Sequence, residues 1–211
     1  TTDTLVVAGS ATVTISDANT TAITAANLSA IGAKTSGAVT VTNAIAISGT
    51  QAEVTAALVT TDTLVVAGSA TVTISDAVTI AQLTAIDAKT SGTITYTSIS
   101  DTASNLAANT GSYVTGAVDV TITDGITAAQ LVTINALTSG EITLNDTNDT
   151  LTDSTADLVA AFTGTVTAYT GAITINDANT TAITAANLST IGGETSGVVT
   201  VTNAIAISGT Q

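Results

Sequence analysis

The sequence contains no proline, cysteine, methionine, tryptophan, histidine or arginine. Without cysteine and histidine the chain has no disulfide bond, lacks the usual ligands of a zinc site, and has no Ser-His or Cys-His catalytic pair. The only cations are Lys34 and Lys89, and the net charge is −14. This balance argues against binding nucleic acid or making a polybasic contact with anionic lipid, because both contacts need clustered lysine and arginine.

These absences also bear on where the protein works. With two lysines and no arginine, trypsin-like proteases have almost nowhere to cut, and the main oxidisable sulfur atoms are missing. No apolar run reaches about 18 residues, so we predict no membrane-spanning helix. The composition fits a durable protein outside the cell or at its surface. Biased composition inherited through repeat duplication is the alternative explanation.

Threonine dominates what is present, with 50 of the 211 residues. Hydrophobic residues make up 45% and the mean hydropathy is +0.53, so the high charge does not indicate disorder here. Valine and isoleucine alternate with threonine in many places. We therefore expect a folded chain with a core of small and β-branched side chains.

Internal repeats are the strongest signal in the sequence. Residues 1–18 and 60–77 are identical, and residues 12–51 match residues 172–211 at 33 of 40 positions. A five-residue strand core recurs eight times, 22 to 33 residues apart. Its copies are 13–17 (VTISD), 39–43 (VTVTN), 72–76 (VTISD), 94–98 (ITYTS), 120–124 (VTITD), 142–146 (ITLND), 173–177 (ITIND) and 199–203 (VTVTN).

Each copy alternates with period two, which is typical of a strand with one buried face. The first and third positions are apolar in every copy, and the second is always threonine. If the copies stack in parallel, the threonines form one outer file: Thr14, Thr40, Thr73, Thr95, Thr121, Thr143, Thr174 and Thr200.

The segments between strands have helical spacing. Four of them read TAANLSAIGAKTSG (24–37), TIAQLTAIDAKTSG (79–92), TAAQLVTINALTSG (127–140) and TAANLSTIGGETSG (184–197). We predict N-terminal capping boxes at residues 50/53, 79/82 and 127/130, an apolar edge of Leu and Ile three residues apart, and a T-S-G stop with glycine in the left-handed C′ position.

The repeats predict a parallel β-solenoid with short helices or helical turns between strands, similar to a leucine-rich repeat, with about eight coils of 22 to 33 residues. No proline or charge run marks a domain boundary, so we expect one continuous domain over residues 1–211. Neither end resembles a polar cap. We therefore expect a window of a longer array, or a module that stacks end to end with copies of itself.

The phrases ITAAQL..I.A.TSG, ISGTQAEVTAALV and ISDTASNLAAN resemble repeat regions of very large secreted or cell-surface bacterial proteins, including cyanobacterial ones. The resemblance implies a structural, adhesive or motility-related role at a surface. Such proteins often carry calcium-binding repeats of the form G-G-x-G-x-D-x-U-x. This chain has none, since its single Gly-Gly pair, at residues 192 and 193, precedes Glu194.

Chemistry-bearing patterns are sparse. The chain has no G-x-G-x-x-G or P-loop motif, and too few aromatic residues and cations for a sugar-cleaving carboxylate pair, so we expect no enzyme activity. Oxygen ligands of the kind that Ca²⁺ prefers occur in NDTNDTLTD, at Asp146, Asp149 and Asp153, but their spacing matches no EF-hand. A further column of Asp, Asn and Ser ends the strands, where such side chains usually cap turns.

The leading functional hypothesis is a structural protein that forms a rigid rod or filament by stacking of its coils. The alternatives are an adhesin stalk or Ca²⁺-stiffened surface repeat, and ice binding through the threonine file. The expected partner is the chain itself, in an end-to-end or lateral homo-oligomer, with cell-surface polysaccharide as a second candidate.

Overall fold

The computed structural model describes residues 9–60, 65–144, 150–167 and 169–209. The chain divides into two compact units, Thr1–Thr97 and Ser98–Gln211. In both units short parallel strands alternate with short helices.

The first unit contains seven strands and three helices among its described residues, arranged in one three-stranded and one four-stranded parallel sheet of order β1-β3-β5 and β2-β4-β6-β7. In chain order they are β1 (Val13–Ile15), β2 (Ala22–Thr24), α1 (Ala25–Gly32), β3 (Val39–Val41), β4 (Ala46–Gly49), α2 (Gln51–Leu58), β5 (Val65–Val66), β6 (Thr71–Ile74), α3 (Ile80–Asp87) and β7 (Ile94–Thr95).

The second unit contains eight strands and four helices among its described residues, in parallel sheets of order β10-β9-β8, β11-β12-β14 and β13-β15. In chain order they are β8 (Ser98–Asp101), α4 (Ala103–Ala108), β9 (Asp119–Ile122), α5 (Ala128–Leu137), β10 (Ile142–Leu144), β11 (Leu151–Asp153), α6 (Thr155–Ala161), β12 (Ile173–Ile175), β13 (Ala182–Thr184), α7 (Ala185–Gly193), β14 (Val199–Val201) and β15 (Ala206–Ser208).

The predicted fold class, a single β-solenoid, is wrong. The described residues form a mixed α/β fold with several small parallel sheets and seven helices. The physical reason is that the repeat strands do not continue in one ladder. Val13–Ile15 pairs with Val39–Val41, whereas the identical sequence in Thr71–Ile74 pairs with Ala46–Gly49, in the other sheet of the same unit.

The helix starts follow the sequence prediction. Capping boxes form at Thr50/Glu53, Thr79/Gln82 and Thr127/Gln130, where the threonine hydroxyl and the N3 side chain satisfy each other's backbone N–H groups. The predicted apolar edges are buried most completely in α3 and α5, at Leu83/Ile86 and Leu131/Ile134. These helices are short, so packing of this edge supplies most of their stability.

The predicted role of the T-S-G glycines is wrong. None of the four, at residues 37, 92, 140 and 197, has a positive φ angle. Instead, each lies against the backbone of the preceding repeat. A Cβ atom on Gly92 would collide with the carbonyl of Ala70, and one on Gly140 with that of Val118. Glycine is needed at these positions because two backbones approach closely, and not because the helix ends in a left-handed turn.

Candidate functional site

The eight threonines of the predicted outer file are brought together only in pairs. Each pair lies on neighbouring strands of a different sheet: Thr14 with Thr40, Thr73 with Thr95, Thr121 with Thr143, and Thr174 with Thr200. Val66, Ser48, Ser100 and Thr152 occupy the next position of these four files. The files are therefore short, and the first of them contains an apolar side chain.

The predicted metal-binding residues are placed only in part. Asp146 and Asp149 lie outside the described residues. Asp153 ends β11, and its carboxylate accepts a hydrogen bond of 2.8 Å from the backbone N–H of Ser154. Within the described part of the chain, no cluster of three or more acidic side chains could hold a metal ion. Calcium binding at this segment stays a prediction.

Three aspartates that lie two residues after a strand, Asp76, Asp124 and Asp177, bind helix starts, and we call them the strand-end aspartates. The carboxylate of Asp76 accepts from the backbone N–H of Gln51 at 2.5 Å, and that of Asp124 from Ala103 at 2.6 Å. Asp177 accepts from the N–H of Thr155 at 2.8 Å. In each case the helix belongs to the preceding repeat, and the N–H is one of those that an α-helix leaves without an internal partner. A carboxylate there is also favoured by the helix dipole.

A second inter-repeat contact recurs four times, and the sequence patterns did not predict it. We call residues 35–37, 90–92, 138–140 and 195–197 the T-S-G clamps. In the clamp at residues 90–92, the Thr90 hydroxyl donates to the carbonyl of Ala70 at 2.5 Å and accepts from the N–H of Gly92 at 3.0 Å. The N–H of Ser91 donates to the carbonyl of Gly68 at 2.9 Å.

The other three clamps make the same bonds. Thr35, Thr138 and Thr195 donate to the carbonyls of Ala11, Val118 and Gly171, respectively. The recurrence of T-S-G is visible in the sequence, where it predicts a helix stop. Its contacts show that each T-S-G joins its own repeat to the backbone of the preceding repeat.

The outer strands β1 and β15 each carry an apolar side chain that is not fully buried. Strand β15 is one of the two strands of the sheet β13-β15, and its Ile207 is 59% exposed. Strand β1 is the outer strand of the sheet β1-β3-β5, and its Val13 is only half-buried. In the sheets as described, each strand has one hydrogen-bonded neighbour, so the other edge presents unpaired backbone groups.

The first unit also contains an open cavity of about 430 Å³. The described part of its wall is mostly apolar, including Leu58, Val65 and Val66, and Lys89 is its one charged residue. An apolar wall with a single ammonium group offers no acid–base pair and no activated nucleophile.

Comparison with known proteins identifies no family for this chain, since no protein-family model, no curated protein and no solved structure matches it. The resemblance to large bacterial surface proteins therefore stays a prediction. Within the described residues, no helix combines the length and the apolar character needed to cross a membrane.

Proposed function

We propose that this protein is a structural subunit that self-associates in an extracellular or cell-surface assembly. The observation that carries the proposal is a contrast within the chain. Strands β4 and β15 share the sequence AIS, yet Ile47 of β4 is 1% exposed, whereas Ile207 of β15 is 59% exposed. A strand whose identical copy is completely covered elsewhere in the same chain is well suited to being covered by a partner.

The hydrogen-bond pattern supports a mechanical role. The T-S-G clamps and the strand-end aspartates use their side chains to join one repeat to the next. These polar groups are therefore occupied in holding the backbone together and are not arranged around a ligand. The absence of sulfur and the scarcity of protease sites favour an exposed, long-lived assembly.

Charge sets the conditions under which assembly is expected. Each chain carries a net charge of −14, so copies repel one another at low ionic strength. At an ionic strength of 0.1 M, salt largely screens the repulsion between exposed charges that are more than about 10 Å apart. Association through apolar and backbone contacts should therefore strengthen as salt is added.

Sedimentation velocity combined with electron microscopy tests the proposal. We expect the average mass of residues 1–211 to rise with protein concentration and with salt, and images of concentrated samples to show oligomers. A chain that remains monomeric over the whole range of concentration and salt would exclude the proposed function.

A further inference from the structure

We infer that strand β15 of one copy pairs in parallel with strand β1 of a second copy, with Ile207 opposite Val13. The inference rests on the proposed function and specifies the contact by which it operates. The basis is a pairing already present inside the first unit, between strands of the same sequence.

The internal pairing is that of β4 with β6. Ile47 lies opposite Val72, and Ser48 lies opposite Thr73. The N–H of Thr71 donates to the carbonyl of Ile45 at 2.9 Å, and the N–H of Ser75 donates to that of Gly49 at 3.0 Å. Both central side chains are buried, with Ile47 at 1% and Val72 at 0% exposure.

The two outer strands repeat these sequences without a change. Residues 199–209, which contain β15, are identical to residues 39–49, which contain β4. Residues 12–16, which contain β1, are identical to residues 71–75, which contain β6. The equivalent of the Ile47–Val72 pair is therefore Ile207 with Val13, and the equivalent of Ser48–Thr73 is Ser208 with Thr14.

Strand β15 and its copy β4 also use the same edge to bind the strand before them. Strand β15 pairs with β13 as β4 pairs with β2, with the same bond from Ala206 to Thr181 as from Ala46 to Thr21, both 2.9 Å. This leaves β15 with the edge that β4 uses to bind β6.

The same comparison holds for β1. The N–H of Val13 donates to the carbonyl of Ala38 at 2.9 Å, as the N–H of Val72 donates to that of Thr93. Strand β1 thus binds β3 as β6 binds β7. This leaves β1 with the edge that β6 uses to bind β4. The unused edges of β1 and β15 therefore match the two edges that meet in the β4–β6 pair.

Side-chain burial agrees with the missing contact. Ile207 is 59% exposed where Ile47 is buried, and Val13 is half-buried where Val72 is completely buried. Joining the two edges would cover both side chains and would pair the N–H groups of Thr12 and Ser16 with the carbonyls of Ile205 and Gly209. Within residues 60–77, Val65 also pairs with β3. The residue that corresponds to Val65 in the first copy of this sequence is Val6, which lies outside the described residues.

The contact joins two different edges, so it is heterologous. An interface of this kind uses one β1 and one β15 in every dimer and leaves the other β1 and the other β15 unused. Further copies can therefore add in the same register until a ring closes or a filament extends.

Disulfide trapping tests the register, because the chain has no cysteine of its own. A Thr14→Cys chain is mixed with a Ser208→Cys chain under mild oxidation and examined on a non-reducing gel. Residues opposite each other on paired strands lie about 5 Å apart, within the range that a disulfide spans. Both positions are exposed. Thermal melting of each variant checks that it folds.

The matched control mixes Thr14→Cys with Thr200→Cys, which lies on β14 and outside the proposed β15–β1 pairing. We expect a reducible dimer at a yield about tenfold above this control, since pairing raises the effective concentration of the two thiols. Equal yields from both mixtures, in a protein that self-associates, would overturn the inferred register and leave the proposed function standing. A wild-type chain that stays monomeric would overturn both.

Discussion

At the scale of single residues, the missing side chain of Gly92 allows two neighbouring repeats to approach closely. A Cβ atom at this position would meet the carbonyl of Ala70, which belongs to the backbone and cannot rotate away. The neighbouring Thr90 is buried and bonds the same carbonyl. The clamp therefore needs a side chain with a hydroxyl at its first residue and no side chain at its third.

Gly92→Ala is therefore expected to destabilise the protein by about 1–3 kcal/mol, because the added methyl group forces the two backbones apart. Gly68→Ala is the matched control, since nothing lies within 4 Å of a Cβ atom there and its φ angle is not positive. Denaturant unfolding of both variants measures the difference. An unfolding midpoint for Gly92→Ala equal to that of the control would contradict the proposed role of the clamp glycine.

At the scale of helices and strands, the sequence predicted local structure better than it predicted pairing. The capping boxes at Thr50, Thr79 and Thr127 depend on residues three positions apart, so the sequence specifies them completely. The strand cores were recognised from their alternation.

Which strands pair could not be predicted, and ATVTISDA explains why. The same eight residues supply β1 in one sheet and β6 in another. The local sequence is identical, so the difference comes from what lies beside it. The repeat pattern did not predict β2 and β4. Their short apolar runs, AIT and AISG, supply the partners that split the expected single ladder.

The strand-end aspartates connect these elements, and Asp76 gives the clearest test. Its carboxylate accepts from the N–H of Gln51 at the start of α2. Asp76→Ala is expected to destabilise the protein by about 1 kcal/mol, because the helix loses a cap and a favourable charge at its N-terminus.

Asp87→Ala is the control for that variant, because it removes the same charge from the last residue of α3. A negative charge at a helix C-terminus is unfavourable, so its loss should not lower stability. Thermal unfolding at matched salt compares the two variants. Equal losses in both would mean that Asp76 acts only through net charge.

At the scale of the whole molecule, a second copy of the chain is expected to cover the outer strands β1 and β15. Ile207→Lys should weaken self-association by about tenfold or more, because an interface loses a buried isoleucine worth about 1.5–3 kcal/mol. Folding of the separate chain should change little, since Ile207 is already mostly exposed. Sedimentation equilibrium measures the association constant.

The control for Ile207→Lys is Ala136→Lys, at an exposed position of α5. Both variants reduce the net charge from −14 to −13, so mutual repulsion falls equally in the two. A loss of association in the first variant alone therefore cannot come from charge. Equal association in both would show that β15 is not part of the interface.

Hydrogen exchange at the amides of Thr12 and Ser16 tests the central claim most directly. Their copies, Thr71 and Ser75, donate to strand β4, whereas on β1 this edge has no partner in the described sheet. We predict that exchange at Thr12 and Ser16 slows by about tenfold or more between dilute and assembled samples. Exchange at Val120, on the central strand β9, should stay constant. Unchanged exchange at Thr12 and Ser16 in an assembled sample would contradict the pairing of β1 with β15.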